Sequence, residues 1–193
     1  CRKLRRPIEE QQMAELPRER IEVSAPFSYS GMDCFGPFII KRGRKEYKRY
    51  GLIFTCLCSR AVHIEMLEDP STDMVEMLGT INALRCFISL RGAVRQLRCD
   101  HGTNFVGARN ELKEALNECD VKALELFLNE AQCEFVFNAP SASHASGVWE
   151  RQIRTVCNVL NANLAQCPGR LDDSSLRTMF YEAMAIMNSR PLT

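Results

Sequence analysis

From Phe27 to Ile40 the chain is aromatic and β-branched, and after a charged turn containing Gly43 the run YGLIFTCLCSRAVHIEML (Tyr50 to Leu67) partly alternates apolar with polar residues. That pattern predicts a β-meander of three strands. Beyond Asp69-Pro70-Ser71-Thr72-Asp73, where Asp73 and Glu76 have capping-box spacing, Met74, Met77, Leu78, Ile81, Leu84 and Ile88 recur at a helical period up to Gly92. A buried helix of about five turns follows. Val94 to Cys99 reads as a short strand ending at Asp100, Glu111 to Glu130 as an acidic helical stretch, and Cys133 to Phe137 as a further strand. Ala139 to Ser146 is small, polar and proline-containing, the composition of a mobile loop. Gly147 then opens a helix with Trp149, Ile153, Val156, Leu160 and Leu164 on one face and Glu150, Arg154, Asn158 and Asn161 on another; a last helix runs from about Asp172 to Met187. The order βββαβαβ followed by helices predicts an α/β domain over residues 26–193, preceded by a polar lead-in segment, residues 1–25.

Composition is that of an ordinary soluble domain, with 193 residues, 46% hydrophobic and 25% charged. No run of 18 apolar residues and no secretory signal pattern is present, so we expect an intracellular protein with no membrane partner. Ten cysteines are scattered without a C-x-x-C pair, and the histidines His63, His101 and His144 do not stand near them at zinc-finger spacing. Reduced thiols in a cytosolic or nuclear setting are the expectation. His63 and His101 are assigned solvent or turn positions. Net charge is only +1, yet residues 1–60 carry 13 Lys/Arg against 7 Asp/Glu, while 61–193 carry 12 against 17. Lys41, Arg42, Arg44, Lys45, Lys48 and Arg49 therefore form either an ordinary solvated turn or a local phosphate-binding surface.

Three acidic residues change the picture. Asp33 lies in GMDCFGPF, within a strand otherwise fit for burial, where an uncompensated carboxylate is costly. Asp100 ends the strand VRQLRCD and precedes the turn HGTNF; if the two strands are neighbours, both aspartates converge at one sheet edge. Glu150, placed on the exposed face of the first turn of its helix, can add a third oxygen ligand. Each acid alone has a structural reading, since strand-end aspartates suit turns and helix-start glutamates suit the dipole. Together they suggest a divalent-metal phosphoryl-transfer site, with oxygen-only ligation suiting Mg²⁺ or Mn²⁺.

GMDCFGPF, IFTCLCSRAVHIE (Ile53 to Glu65), RCDHGTNF, HASGVWERQIR (His144 to Arg154) and NSRPLT (Asn188 to Thr193) occur in this order. The set resembles the catalytic core of retroviral-type integrases, and is most similar to the integrases of BEL/Pao long-terminal-repeat retrotransposons. The 50 residues from Asp100 to Glu150 (150 − 100) exceed the retroviral spacing and resemble the BEL/Pao arrangement.

The resemblance implies an RNase H-like fold, a five-stranded mixed sheet flanked by helices. It makes Asp33, Asp100 and Glu150 the catalytic ligands of two Mg²⁺ (or Mn²⁺) ions, and Asn104, His144, Arg151 and Arg154 DNA-contacting residues. It implies 3′-end processing and strand transfer on retroelement and target DNA, a homo-oligomer, and work in the nucleus with a cytoplasmic particle stage. Residues 1–25 would follow a zinc-binding domain, with Cys1 as a remnant of its motif. Departures from the family pattern are His101 after the second aspartate, where asparagine is common, and Ser143 and Ser146 where the loop commonly has proline and glycine. Two other readings compete: a catalytically inactive, domesticated DNA-binding or assembly module, and a nuclease for RNA–DNA hybrids.

Overall fold

The computed structural model describes residues 21–67, 73–100, 121–138, 143–166 and 171–190. Its strands are β1 (Tyr29–Arg42), β2 (Lys45–Cys56), β3 (Val62–Leu67), β4 (Gln96–Asp100) and β5 (Glu134–Asn138). The helices are α1 (Asp73–Arg91), α2 (Val121–Glu130), α3 (Ser143–Gln166) and α4 (Asp173–Asn188). The strands form one sheet in the order β3-β2-β1-β4-β5. The β1–β2 and β2–β3 pairs are antiparallel and the β1–β4 and β4–β5 pairs parallel, the mixed sheet that the family resemblance implies.

Alternation along the strands divides the core into two layers. Met32, Cys34, Leu52, Phe54, Leu97 and Cys99 face one layer, where Leu84 and Phe87 of α1 and Leu128 of α2 are buried. Phe54 and Phe87 stack there with centroids 4.0 Å apart. Phe35, Ile53, Val62 and Ile64 face the other layer, covered by Ile153, Val156 and Leu160 of α3 and by Leu176, Phe180 and Met184 of α4.

A bulge between Phe35 and Phe38 interrupts the β1–β2 register. The added residue shifts the phase of alternation by one. Phe38 and Ile40 thereby continue on the α4 side, as Phe35 does, and both Phe35 and Phe38 contact the Phe180 ring, at 5.7 and 5.5 Å. The charged stretch expected as a turn is consequently mostly strand: pairing runs on to Arg42↔Lys45, leaving only Gly43 and Arg44 in the turn. Gly43 has φ 65°, which suits glycine at the first central position of a two-residue hairpin turn. Lys41 N–H donates to Leu171 O at 2.9 Å, and Arg49, 4% exposed, reaches Asp173 at the start of α4 with Nε to Oδ1 2.7 Å. Asp172 caps α4 by accepting the Ser175 N–H at 2.7 Å, which holds its carboxyl below the usual carboxylate range.

The other departures are local. Helix α3 begins at Ser143, within the segment expected as a loop, rather than at Gly147. His63 is buried, not solvent-facing: its ring packs on Phe54 and Phe87, Nδ1 accepts from Arg91 Nε at 3.3 Å, and Nε2 lies 2.8 Å from Glu65 Oε1. With Nδ1 accepting, the proton of the neutral ring sits on Nε2 and is donated to Glu65. No helix among the described residues is long and apolar enough to cross a membrane.

Candidate active site

Strand β4 lies parallel between β1 and β5, and its pairing with β1 organises the acidic positions. Its register runs Tyr29↔Gln96, Ser30↔Leu97, Gly31↔Arg98 and Met32↔Cys99. One residue further on each strand stand Asp33 and Asp100, on neighbouring strands about 4.8 Å apart. Asp100 is held on its other side by pairing with Asn138 of β5. The convergence expected of the two strand positions is thus present in the backbone, at the middle of the sheet rather than at an outer edge. The side chain of Asp100 lies outside the described residues.

Asp33 pairs with Ile53 across the β1–β2 ladder, and Ile53 belongs to the α3–α4 layer. Directly paired residues share a face, so the Asp33 carboxylate projects toward that layer. It is 8% exposed, and its Oδ1 accepts the Cys34 N–H at 2.8 Å. A carboxylate this buried requires hydrogen-bonding or a cation to remain charged.

Glu150 is on α3, the helix packed over this face. It stands seven residues after Ser143, about two turns into the helix rather than in its first turn, and is half-buried rather than exposed. Three residues later Ile153 is buried against the sheet, which puts Glu150 at the sheet-facing end of the helix's buried stripe. Arg151 and Arg154 are exposed on the same helix. Asn104 and the side chains of His144 and Trp149 lie outside the described residues.

Sequence pattern alone does not single out Arg98. It lies opposite Gly31 on β4, at the alternation position shared with Asp33's face, half-buried, and donates from Nε to Gln96 Oε1 at 3.1 Å. The available signal was a basic residue inside a short strand two positions before an acidic strand end. Facing Gly31, which has no side chain, it stands one alternation step before Asp100 on β4.

Oxygen donors of carboxylate type are the ligand class hard divalent cations take, and the buried Asp33 carboxylate suits that role. Among the described side chains, which do not include that of Asp100, no three of His, Cys, Asp or Glu gather as a metal cluster.

No protein-family model and no curated protein matches the sequence. Solved structures do. The chain is similar to the HTLV-2 integrase catalytic core domain in complex with magnesium in its dimeric form, with a TM-score of 0.54 and 17% identity over 88% of this chain and 91% of that one. It is similar to the catalytic core domain of BIV integrase, with a TM-score of 0.57 and 15% identity over 86% and 87% of the two chains. It also matches a chain of the simian T-cell lymphotropic virus intasome, with a TM-score of 0.57 and 15% identity over 94% of this chain and 56% of that one. The five-stranded mixed sheet with its flanking helices is therefore the RNase H-like fold of retroviral integrase catalytic cores.

Proposed function

We propose that this chain is the catalytic core of a retroelement integrase of the BEL/Pao kind, a polynucleotidyl transferase acting on DNA. The observation that carries this reading is the parallel register, in which Asp33 and Asp100 follow the Met32↔Cys99 pair on adjacent strands. Glu150 on α3, over the face to which Asp33 projects, supplies the third acid of the proposed set. The motifs GMDCFGPF, RCDHGTNF and HASGVWERQIR support the same assignment.

On this reading Asp33, Asp100 and Glu150 hold two Mg²⁺ or Mn²⁺ ions, which supply activation of the attacking oxygen and charge stabilisation at the phosphorus. In 3′-end processing a water oxygen forms a new P–O bond as the bond to the retained 3′ oxygen breaks. In strand transfer that freed 3′-hydroxyl attacks a target phosphodiester, and again one P–O bond replaces another. The burial of Asp33 fixes one carboxylate in a water-poor setting, and Arg98 offsets the concentration of negative charge that the acids and the substrate phosphate create. Asn104, His144, Arg151 and Arg154 are proposed DNA contacts.

The proposal extends to organisation. Residues 26–193 are the core, residues 1–25 lead in from a zinc-binding domain, the working form is a homo-oligomer, and the site of action is the nucleus. The dimeric form of the similar HTLV-2 core supports the oligomer.

The test incubates the purified chain with Mn²⁺ and branched or end-processed DNA. Nicking or joining that disappears on removal of the metal and in Glu150→Gln is the expected result; activity unchanged in Glu150→Gln sinks the site.

A further inference from the structure

The β1–β2 hairpin is longer than the sheet that holds it. Strand β4 pairs with β1 only through Met32, and β3 pairs with β2 only from Tyr50 to Thr55. Among the described residues, the rungs from Phe38↔Arg49 to Arg42↔Lys45 thus have no third strand beside them and form a two-stranded arm.

One face of this arm is anchored. Phe38, Ile40 and Tyr47 pack into the α3–α4 layer, Lys41 N–H is fixed to Leu171 O, and Arg42 and Arg49 both reach Asp173. On the other face Ile39, Lys41 and Glu46 are exposed, and so is the tip. Residues 41–49 contain six basic residues and one acid, Glu46, which pairs with Lys41 at 2.9 Å. At the tip, Arg44 and Lys45 are exposed and form no ion pair among the described residues. An anchored ribbon that presents cations loses little conformational freedom on meeting a polyanion.

The direction of the arm matters equally. It continues β1 past Asp33, from the same end of the parallel strands at which Asp33 and Asp100 sit. Arg42 is nine residues beyond Asp33, a reach of up to about 30 Å at roughly 3.3 Å per residue. That is close to one helical turn of duplex DNA, about 34 Å.

We propose that the arm is a DNA-binding element: its tip, Arg44 and Lys45, grips backbone phosphates of duplex DNA about one helical turn from the acidic site. The identity of the polyanion as duplex DNA rests on the integrase reading; the presence of a cationic gripping element does not. A two-stranded ribbon fits a DNA groove, but charges on a tip position the duplex and read no sequence.

The experiment measures binding of a fluorescent 30-base-pair duplex to the full chain carrying Glu150→Gln, in EDTA and over a range of salt, so that neither metal nor catalysis contributes. Arg44→Gln with Lys45→Gln is expected to lower affinity at least about fivefold at low salt and to reduce the slope of log K against log salt by about 1.8, the value for two phosphate contacts. Arg85→Gln, which removes an exposed charge from α1 on the opposite side of the sheet, is expected to change affinity less than twofold. Circular dichroism verifies that each variant is folded. An unchanged salt slope in the tip variant, or an equal loss in Arg85→Gln, overturns the proposal, and tighter tip-dependent binding of single-stranded RNA overturns the choice of duplex DNA. Absence of metal-dependent activity in the wild-type chain would count against the integrase reading while leaving this binding result standing.

Discussion

Met32 pairs with Cys99 across the parallel β1–β4 ladder, and the next residue on each strand is an aspartate. Because the two strands are central, both aspartate positions are fixed by pairing on either side: β1 by β2, and β4 by β5. A site built on such positions is held by the most constrained backbone in the fold.

On the proposed assignment, Asp33→Asn separates chemistry from folding. Asparagine keeps the shape and a carbonyl oxygen that can accept the Cys34 N–H, so the melting temperature should stay within about 5 °C of wild type. Metal-dependent DNA nicking should fall by at least about 100-fold with the loss of the ligand charge. Thermal denaturation and a gel-based nicking assay, run on the same preparation, decide it; full activity in a folded variant would remove Asp33 from the site.

Phe35 and Gly51 are directly paired on β1 and β2, and the Phe35 ring lies over the glycine so closely that a Cβ there would overlap it. The same ring contacts Phe180 of α4, so it has little freedom to move aside. Gly51→Ala should therefore destabilise by about 1–3 kcal/mol through overpacking, although alanine is the smallest possible addition. Urea denaturation measures the loss, and a stability equal to wild type would show that the ring can shift.

Asn188 does for the edge of β3 what a neighbouring strand would do. Its Oδ1 accepts the Val62 N–H at 2.8 Å and its Nδ2 donates to Val62 O at 2.9 Å, closing the outer edge of β3 with both bonds of a ladder rung. Met184 Sδ accepts the next outward N–H, that of Ile64, at 3.0 Å. An open edge is a template for unwanted pairing, and helix α4 covers this one. Asn188→Ala should cost about 1–3 kcal/mol by leaving two backbone groups unsatisfied. Amide exchange at Val62 should speed up more than that at Ile53 in the sheet interior; equal acceleration at both would mean that the edge bond is not the local cause.

These relationships show what could be read from the chain and what could not. The period-two runs marked β1 to β3, and Leu84 in α1 and Ile153, Val156 and Leu160 in α3 fall on buried faces as their helical spacing predicts. The charged arm is not legible as strand, because only one of its faces is packed against a layer, its outer positions are mostly charged, and the bulge before it breaks the phase. The burial of His63 is not legible for a related reason: a buried polar ring depends on partners remote in sequence, here Arg91, which period alone cannot supply. At the site, the spacing of Asp33 and Asp100 in sequence says nothing of strand order. Their adjacency comes from β1 and β4 being neighbours, a consequence of the crossover through α1. A helix opening at Gly147 would put Glu150 in an exposed first turn; because α3 begins at Ser143, the residue sits deeper, beside the buried stripe.

The cysteines provide a chemical check on the layers. Burial raises the Cys133 thiol to about 11 from its ordinary 9.0, and the same cause raises Cys157, whereas Cys86 is exposed on α1. Only a thiolate alkylates readily, so at pH 8 Cys86 should be modified by iodoacetamide well before Cys133 and Cys157, with peptide mass spectrometry giving the order. The linkage has a definite sign. A thiol with a raised folded-state value favours folding fully below pH 9, where both states are protonated, and that contribution is lost as pH rises from 9 to about 11, because the unfolded chain releases its proton first. The melting temperature should accordingly drop over this window, and Cys133→Ala, whatever its cost in packing at neutral pH, should show a shallower drop. An identical alkaline slope in the variant would mean that Cys133 ionises in the folded protein as it does in the unfolded one.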